Sequence, residues 1–115
     1  MNLKHRSVLV VGLGKTGEAV CTFLLGKGAR IRISEKKALD PTDESLLAWK
    51  ERGVELETGG HRLRSFLEAD VIIPSPGVPP IPELQAALRE GKEVLSEVEL
   101  ASRFLKGTLV GITGT

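Results

Sequence analysis

Two patterns of hydrophobic and polar residues take turns along the chain. Ser7 to Val11 (Ser-Val-Leu-Val-Val) is a continuous apolar, β-branched run, which predicts a strand buried on both faces, as in a parallel sheet. From Lys15 to Lys27 the apolar residues Ala19, Val20, Phe23 and Leu24 recur at helical spacing, and Gly26 or Gly28 ends that helix. Ile31 and Ile33 mark a second strand, closing near Ser34-Glu35. Asp40-Pro41 predicts a cap and a first helical residue, with Leu46, Leu47 and Trp49 on a helix that stops at Gly53. Val54 to Glu57 alternates apolar and charged residues, the mark of a weaker strand at a sheet edge. Asp70 to Ile73 is a clear buried strand and runs into Pro74-Ser75-Pro76-Gly77-Val78-Pro79-Pro80, a stiff loop with almost no helix potential. Pro82 opens a helix through Leu84, Ala87 and Leu88, stopped by Gly91. Val94-Leu95 is a short strand, and Ser96 with Glu99 three residues on is a capping box for a helix to about Leu105. Thr108 to Thr115 reads as a strand entering a glycine turn.

Strand and helix alternate throughout, with no repeat and no low-complexity tract. That order predicts an α/β fold: a Rossmann-like three-layer domain, with a mostly parallel sheet of about five strands, helices on both faces and right-handed crossovers.

Composition then removes several classes of function. The chain has 115 residues, close to one domain, and 41% are hydrophobic, which suits a globular protein and not a disordered one. The formal net charge of +1 supplies no bulk field to draw the protein to nucleic acid or an anionic membrane, so any phosphate recognition must be local. One cysteine, Cys21, excludes an internal disulfide and a cysteine-based zinc site, and fits a reducing cytoplasm. The polar start from Met1 to Ser7 lacks the pattern of a signal peptide, and no apolar run approaches the ~20 residues of a membrane span.

Candidate chemistry begins at the glycine turn, Gly12-Leu13-Gly14-Lys15-Thr16-Gly17. Gly12 permits a tight turn out of the strand, Gly14 lets backbone approach a phosphate, and Gly17 allows the helix to pack close to the sheet. The free N–H groups of Gly14 to Gly17 and the helix dipole favour an anion. The turn follows a strand and opens a helix, which is the context that gives such a motif weight. Glu35 lies at the end of the second strand, where an acid can take ribose hydroxyls, and Lys36 and Lys37 follow it. Ser75-Pro76-Gly77 follows a buried strand and should stand beside the glycine turn as a rigid wall. His5 and His61 read as surface residues, Cys21 as an inert buried thiol, and Trp49 as packing. The carboxylates are scattered, so no acid/base pair, catalytic residue or metal site is named. By themselves the turn and Glu35 fit three classes: a nucleotide-linked substrate domain, a nicotinamide-dependent oxidoreductase domain, and a ligand-sensing regulatory module.

The motifs come in one order: Val10-Val11-Gly12-Leu13-Gly14-Lys15-Thr16-Gly17, Ser34-Glu35-Lys36-Lys37, Ser75-Pro76-Gly77-Val78-Pro79, Ser96-Glu97-Val98-Glu99-Leu100, and Val110-Gly111-Ile112-Thr113-Gly114-Thr115. Over essentially its whole length the chain resembles the N-terminal domain of the Mur ligases, most of all their D-glutamate-adding branch. The resemblance implies a place in a longer, ATP- and magnesium-dependent peptidoglycan enzyme that joins D-glutamate to UDP-N-acetylmuramoyl-L-alanine through an acyl phosphate. It implies that Leu13, Gly14, Lys15 and Thr16 contact the diphosphate, that Glu35, Lys36 and Lys37 lie by the uracil and ribose, and that Ser75, Pro76 and Gly77 form the opposite wall. Residues 1–106 would be the UDP-substrate domain. Residues 107–115 would begin a central domain, with Gly111, Thr113, Gly114 and Thr115 opening its ATP loop. Two features depart from the family pattern. Both residues after Glu35 are lysines, where a threonine and an arginine are expected, and lysine lacks arginine's planar fork. The lysine that should follow the Gly111–Thr115 loop is not in the chain. A monomeric fragment that binds without catalysing, with no nucleic-acid or membrane partner, is therefore expected.

Overall fold

The computed structural model describes residues 4–12, 15–40, 42–76 and 78–104. Five strands and five helices alternate in it: β1 Ser7–Val11, α1 Lys15–Gly26, β2 Arg30–Glu35, α2 Glu44–Glu51, β3 Glu55–Thr58, α3 Leu63–Glu68, β4 Val71–Pro74, α4 Pro82–Arg89, β5 Glu93–Val94 and α5 Glu97–Phe104. The strands form one sheet in the order β3-β2-β1-β4-β5. Every pairing is parallel, so the sheet is wholly parallel and not just mostly so. The central β1 is flanked on both sides, with Val10 opposite Ile33 of β2 and Ile73 of β4. This is why its sequence is a continuous apolar run.

The alternation of side chains along the strands divides the interior in two. Val8 and Val10 of β1, with Ile31, Ile33, Val71 and Ile73, pack against Cys21 and Leu24 of α1, Trp49 of α2 and Leu100 of α5. Leu9, Val11 and Ile72 face the other way, onto Phe66 of α3 and Leu84 and Ala87 of α4. Right-handed crossovers require this division. The chain moves outward from β1 to β3 under one set of helices, then reverses to β4 and β5 under the other. The reversal puts a topological switch point between β1 and β4, and in such sheets ligands bind outside the strands' carboxyl ends at that point.

Four local details differ from the sequence reading. The capping residue of α2 is Asp43, whose Oδ1 accepts from the Ser45 backbone N–H at 2.8 Å. Asp40 instead closes its own turn, accepting from the backbone and hydroxyl of Thr42 at 2.9 and 2.7 Å, so the helix starts at Glu44 and not at Pro41, which lies outside the described residues. On α1 the buried stripe runs through Cys21 and Leu24, with Val20 and Phe23 half-buried, while Ala19 is exposed. The short α3 has no counterpart in the sequence reading. It exists because Phe66 is fully buried beneath it. β3 and β5 each sit one residue from their expected places.

Other expectations hold. Ser96 Oγ accepts from the Glu99 backbone N–H at 3.1 Å, and Glu99 Oε1 accepts from the Ser96 backbone at 3.2 Å, completing the capping box. Trp49 is buried, and Arg52 lies over its ring at 4.8 Å from the centroid. Cys21 is fully buried. Burial pushes its thiol up to about 12, Arg52 opposing that rise and Glu18 adding to it, so the sulfur stays protonated and inert. The last strand expected from Thr108 lies outside the described residues.

Phe66→Ala should cost about 3–5 kcal/mol, the range for emptying a large aromatic site in a packed core. Denaturant unfolding followed by the fluorescence of Trp49, the sole tryptophan, measures it. A loss below 1 kcal/mol would mean that α3 is not a fixed part of the second core.

Candidate functional site

The carboxyl ends of β1, β2 and β4 are tied together by hydrogen bonds that converge on Gly12. Its backbone N–H donates to the Ser34 carbonyl at 2.8 Å, and its own carbonyl accepts from Ser75 Oγ at 3.1 Å. The Ser75 backbone N–H also donates to the Val11 carbonyl at 2.9 Å. The turn after β1 and the proline-rich loop after β4 are thus clamped face to face, as their places in the sequence anticipate. Gly12 has φ +92°, and a Cβ there would stand 3.1 Å from Ser75 Oγ and 3.2 Å from Val78 Cγ2. The backbone conformation therefore favours glycine, and the close approach of Ser75 and Val78 adds to that preference.

A cleft of about 560 Å³ opens along this edge. That is a usual size for a small-molecule site. Gly12, Ser75, Val78 and Pro79 form the wall on the β1–β4 side, Glu35, Lys36, Gly60 and His61 the wall on the β2–β3 side, and Ile81, Pro82 and Glu83 the flank leading to α4. Among the residues singled out from sequence, the structure brings together Glu35, Lys36 and Ser75. Lys37 and Pro76 are exposed and do not line the cleft. Lys15 and Thr16 open α1, directly after the glycine turn. Leu13, Gly14 and Gly77 lie outside the described residues, as do Gly111, Thr113, Gly114 and Thr115.

The β2–β3 wall is built by backbone. Gly59 N–H donates to the Lys37 carbonyl at 2.9 Å and Gly60 N–H to the Glu35 carbonyl at 3.3 Å, folding one loop over the next. Glu35 Oε2 accepts from the Lys37 backbone at 3.0 Å, which fixes the turn that presents Lys36.

His61 corrects the sequence reading. It is not a plain surface residue but lines the cleft half-buried, with Nδ1 2.6 Å from Ser34 Oγ and its ring edge-on to Phe66 at 5.9 Å. No spacing pattern marked it, because its partners come from β2 and α3.

Behind His61 is a buried polar cluster. The Glu57 side chain is only 8% exposed. Burial on its own would raise the Glu57 carboxyl. Hydrogen bonds from Ser65 and Ser34, the Arg62 backbone N–H and the Arg62 charge outweigh that effect and hold it below its ordinary value of 4.5. On the same face Arg32 reaches Glu55 at 2.6 Å, Glu68 at 3.5 Å and Ser65 Oγ at 3.1 Å. Among the described residues there is no group of three His, Cys, Asp or Glu that could hold a metal, and no helix long and apolar enough to cross a membrane.

A wholly parallel, doubly wound sheet whose first and fourth strands meet at a switch point defines a Rossmann-like domain. Residues 6–96 match the family described as "Mur ligase MurD-like, N-terminal domain". The chain is 44% identical over 116 residues to UDP-N-acetylmuramoylalanine–D-glutamate ligase of Acidobacterium capsulatum, covering 100% of this chain and 25% of that one. It is 45% identical over 115 residues to the protein of the same name in Chlorobium luteolum, covering 99% and 24%. Among solved structures, a pseudomurein peptide ligase type C from Methanothermus fervidus superposes with a TM-score of 0.67 at 22% identity, over 85% of this chain and 20% of that one, a likeness of fold. The chain belongs to the MurD-like N-terminal domain family of the Mur ligases. It spans about a quarter of the length of the curated relatives it matches.

Gly12→Ala should destabilise the domain by about 1–3 kcal/mol, the cost of holding a non-glycine residue in a sparsely populated conformation. A thermal or denaturant melt unchanged from wild type would mean that the turn relaxes freely. Glu57 gives a pH signature. A carboxyl held lower in the folded state than in the unfolded one adds stability that is fully present above 4.5 and lost as pH falls through the folded value. Denaturant midpoints measured from pH 7 to 3 should therefore fall less steeply in Glu57→Gln than in wild type. Parallel curves would remove Glu57 as the source.

Proposed function

We propose that this chain is the domain that grips the UDP end of UDP-N-acetylmuramoyl-L-alanine in an ATP-dependent, D-glutamate-adding ligase of peptidoglycan synthesis. The observation that carries this reading is the clamp of Gly12 against Ser75 at the switch point, with Glu35 and Lys36 across the same cleft. A diphosphate sits over the turn, with Leu13, Gly14, Lys15 and Thr16 around it, where helix N–H groups and the α1 dipole meet negative charge. The uracil and ribose lie toward Glu35, Lys36 and Lys37. Ser75 stands on the opposite wall, and Pro76 and Gly77, next in the same loop, close that side over the bound substrate, stiffened by proline so that little order is lost on binding.

ATP, magnesium and D-glutamate act on the remainder of the enzyme, with Gly111, Thr113, Gly114 and Thr115 leading into the ATP loop. The domain binds, orients and releases substrate and takes no part in bond-making. It works as a monomer in the cytoplasm, where the nucleotide precursor is made.

Calorimetric titration of the chain with UDP-N-acetylmuramoyl-L-alanine, UDP and NAD tests the reading. Binding of the two uridine ligands and weaker or absent binding of NAD is expected. Stronger binding of NAD than of UDP would overturn it in favour of a dinucleotide site, since Glu35 at the end of β2 also suits an adenosine ribose.

A further inference from the structure

We propose that His61 is a ligand-binding residue of this cleft, whose Nε2 accepts a hydrogen bond from the nucleoside, and that Ser34 and Glu57 are the positioning residues that hold it in the accepting tautomer. The inference rests on the uridine-nucleotide reading above and deepens it.

The hydrogens can be counted. Ser34 Oγ is 2.7 Å from Glu57 Oε2 and 2.6 Å from His61 Nδ1. An ionised carboxylate only accepts, and a hydroxyl has a single proton to give. Glu57 is kept ionised by the hydrogen bonds around it, so the Ser34 proton points at Glu57. The oxygen of Ser34 is then an acceptor toward His61, and Nδ1 must carry the ring's hydrogen. In the neutral imidazole that leaves Nε2 as a bare acceptor. Ser34 is fully buried and Glu57 nearly so, so water does not compete for either contact. Phe66, edge-on to the imidazole, limits its rotation.

Nε2 makes no hydrogen bond among the described residues, and it is not among their buried polar atoms without a partner, so it is open to the cleft that His61 lines. The positively charged and acidic groups on this wall, Lys36 and Glu35, suit an anion and hydroxyls, whereas Nε2 adds a neutral acceptor. The donor it takes from a uridine nucleotide is either the imide N–H of the base or the ribose 2′-hydroxyl. An acceptor facing the imide would also select uracil against cytosine, whose ring nitrogen at the same place has no hydrogen.

The test compares wild type, His61→Phe and His61→Gln with UDP, N3-methyl-UDP and 2′-deoxy-UDP by calorimetry. His61→Phe keeps a ring against Phe66 and loses the acceptor, while His61→Gln restores one. UDP affinity should fall about tenfold in His61→Phe, the effect of one neutral hydrogen bond, and recover most of the way in His61→Gln. One modified ligand should bind wild type about tenfold more weakly than UDP and bind His61→Phe no worse than UDP does, and which ligand does so identifies the donor. Ser34→Ala should weaken UDP binding in the same direction, because it frees the tautomer. The proposal is overturned if His61→Phe keeps wild-type affinity, or keeps wild-type discrimination against both modified ligands. Should His61→Phe fail to fold, wild type that binds all three ligands equally overturns it as well. Absence of UDP binding to wild type would be a failure of the uridine reading itself and is seen before any variant is made.

Discussion

Gly12 is the point on which the carboxyl edge of the sheet depends. Its N–H is held by the carbonyl of Ser34 on one neighbouring strand, and its carbonyl is held by the hydroxyl of Ser75 beyond the other. A side chain at this position would crowd the side chains of Ser75 and Val78 and would have to adopt a left-handed backbone. The cleft is therefore not a gap left over between loops. Three strand ends are drawn within hydrogen-bond distance of one residue, and the walls follow from where those strands go next. Ser34 is the second knot. Its backbone supports the turn while its side chain supports His61 and Glu57, so the turn after β1 and the β2–β3 wall share one residue as foundation.

The two faces of the sheet solve the burial problem differently. Under α1, α2 and α5 the strands present an almost unbroken apolar surface. On the opposite face the apolar cover from α3 and α4 lies over β1 and β4, and the surface over β2 and β3 is polar, carrying Arg32, Ser34, Glu55 and Glu57. Polar groups are tolerated there because each has a partner: the nearly buried Glu57 accepts from Ser65, Ser34 and the Arg62 backbone, and the half-exposed Arg32 spans Glu55, Glu68 and Ser65. The exposed ion pairs of Arg32 add little to stability. The same polar cluster sits directly behind the cleft, so what fixes the second face also stiffens the wall on the β2–β3 side.

Much of this was legible in the residue order, and what was not has a physical reason. The run at Ser7–Val11, the apolar run ending at Ile73 and the Ser96–Glu99 capping box are local signals, and each corresponds to the element or cap it suggested. Local signals also misled where two residues competed for one role. Asp40 and Asp43 are both good caps, and only the turn closed by Thr42 decides between them. α3 is six residues with a single buried apolar side chain, Phe66, beside the buried Ser65, too short for a periodicity to register. His61 is the harder case, since its importance lies in contacts to Ser34 and Phe66 that only the sheet register and the placement of α3 create.

The sheet's rims carry a consequence for assembly. β3 has four residues and β5 only two. Both carry glutamates, Glu55 and Glu57 on one and Glu93 on the other. A strand from another molecule would find a template too short and too acidic to extend, so lateral growth of the sheet is discouraged at both rims. The backbone at those two strands is therefore a poor seed for aggregation.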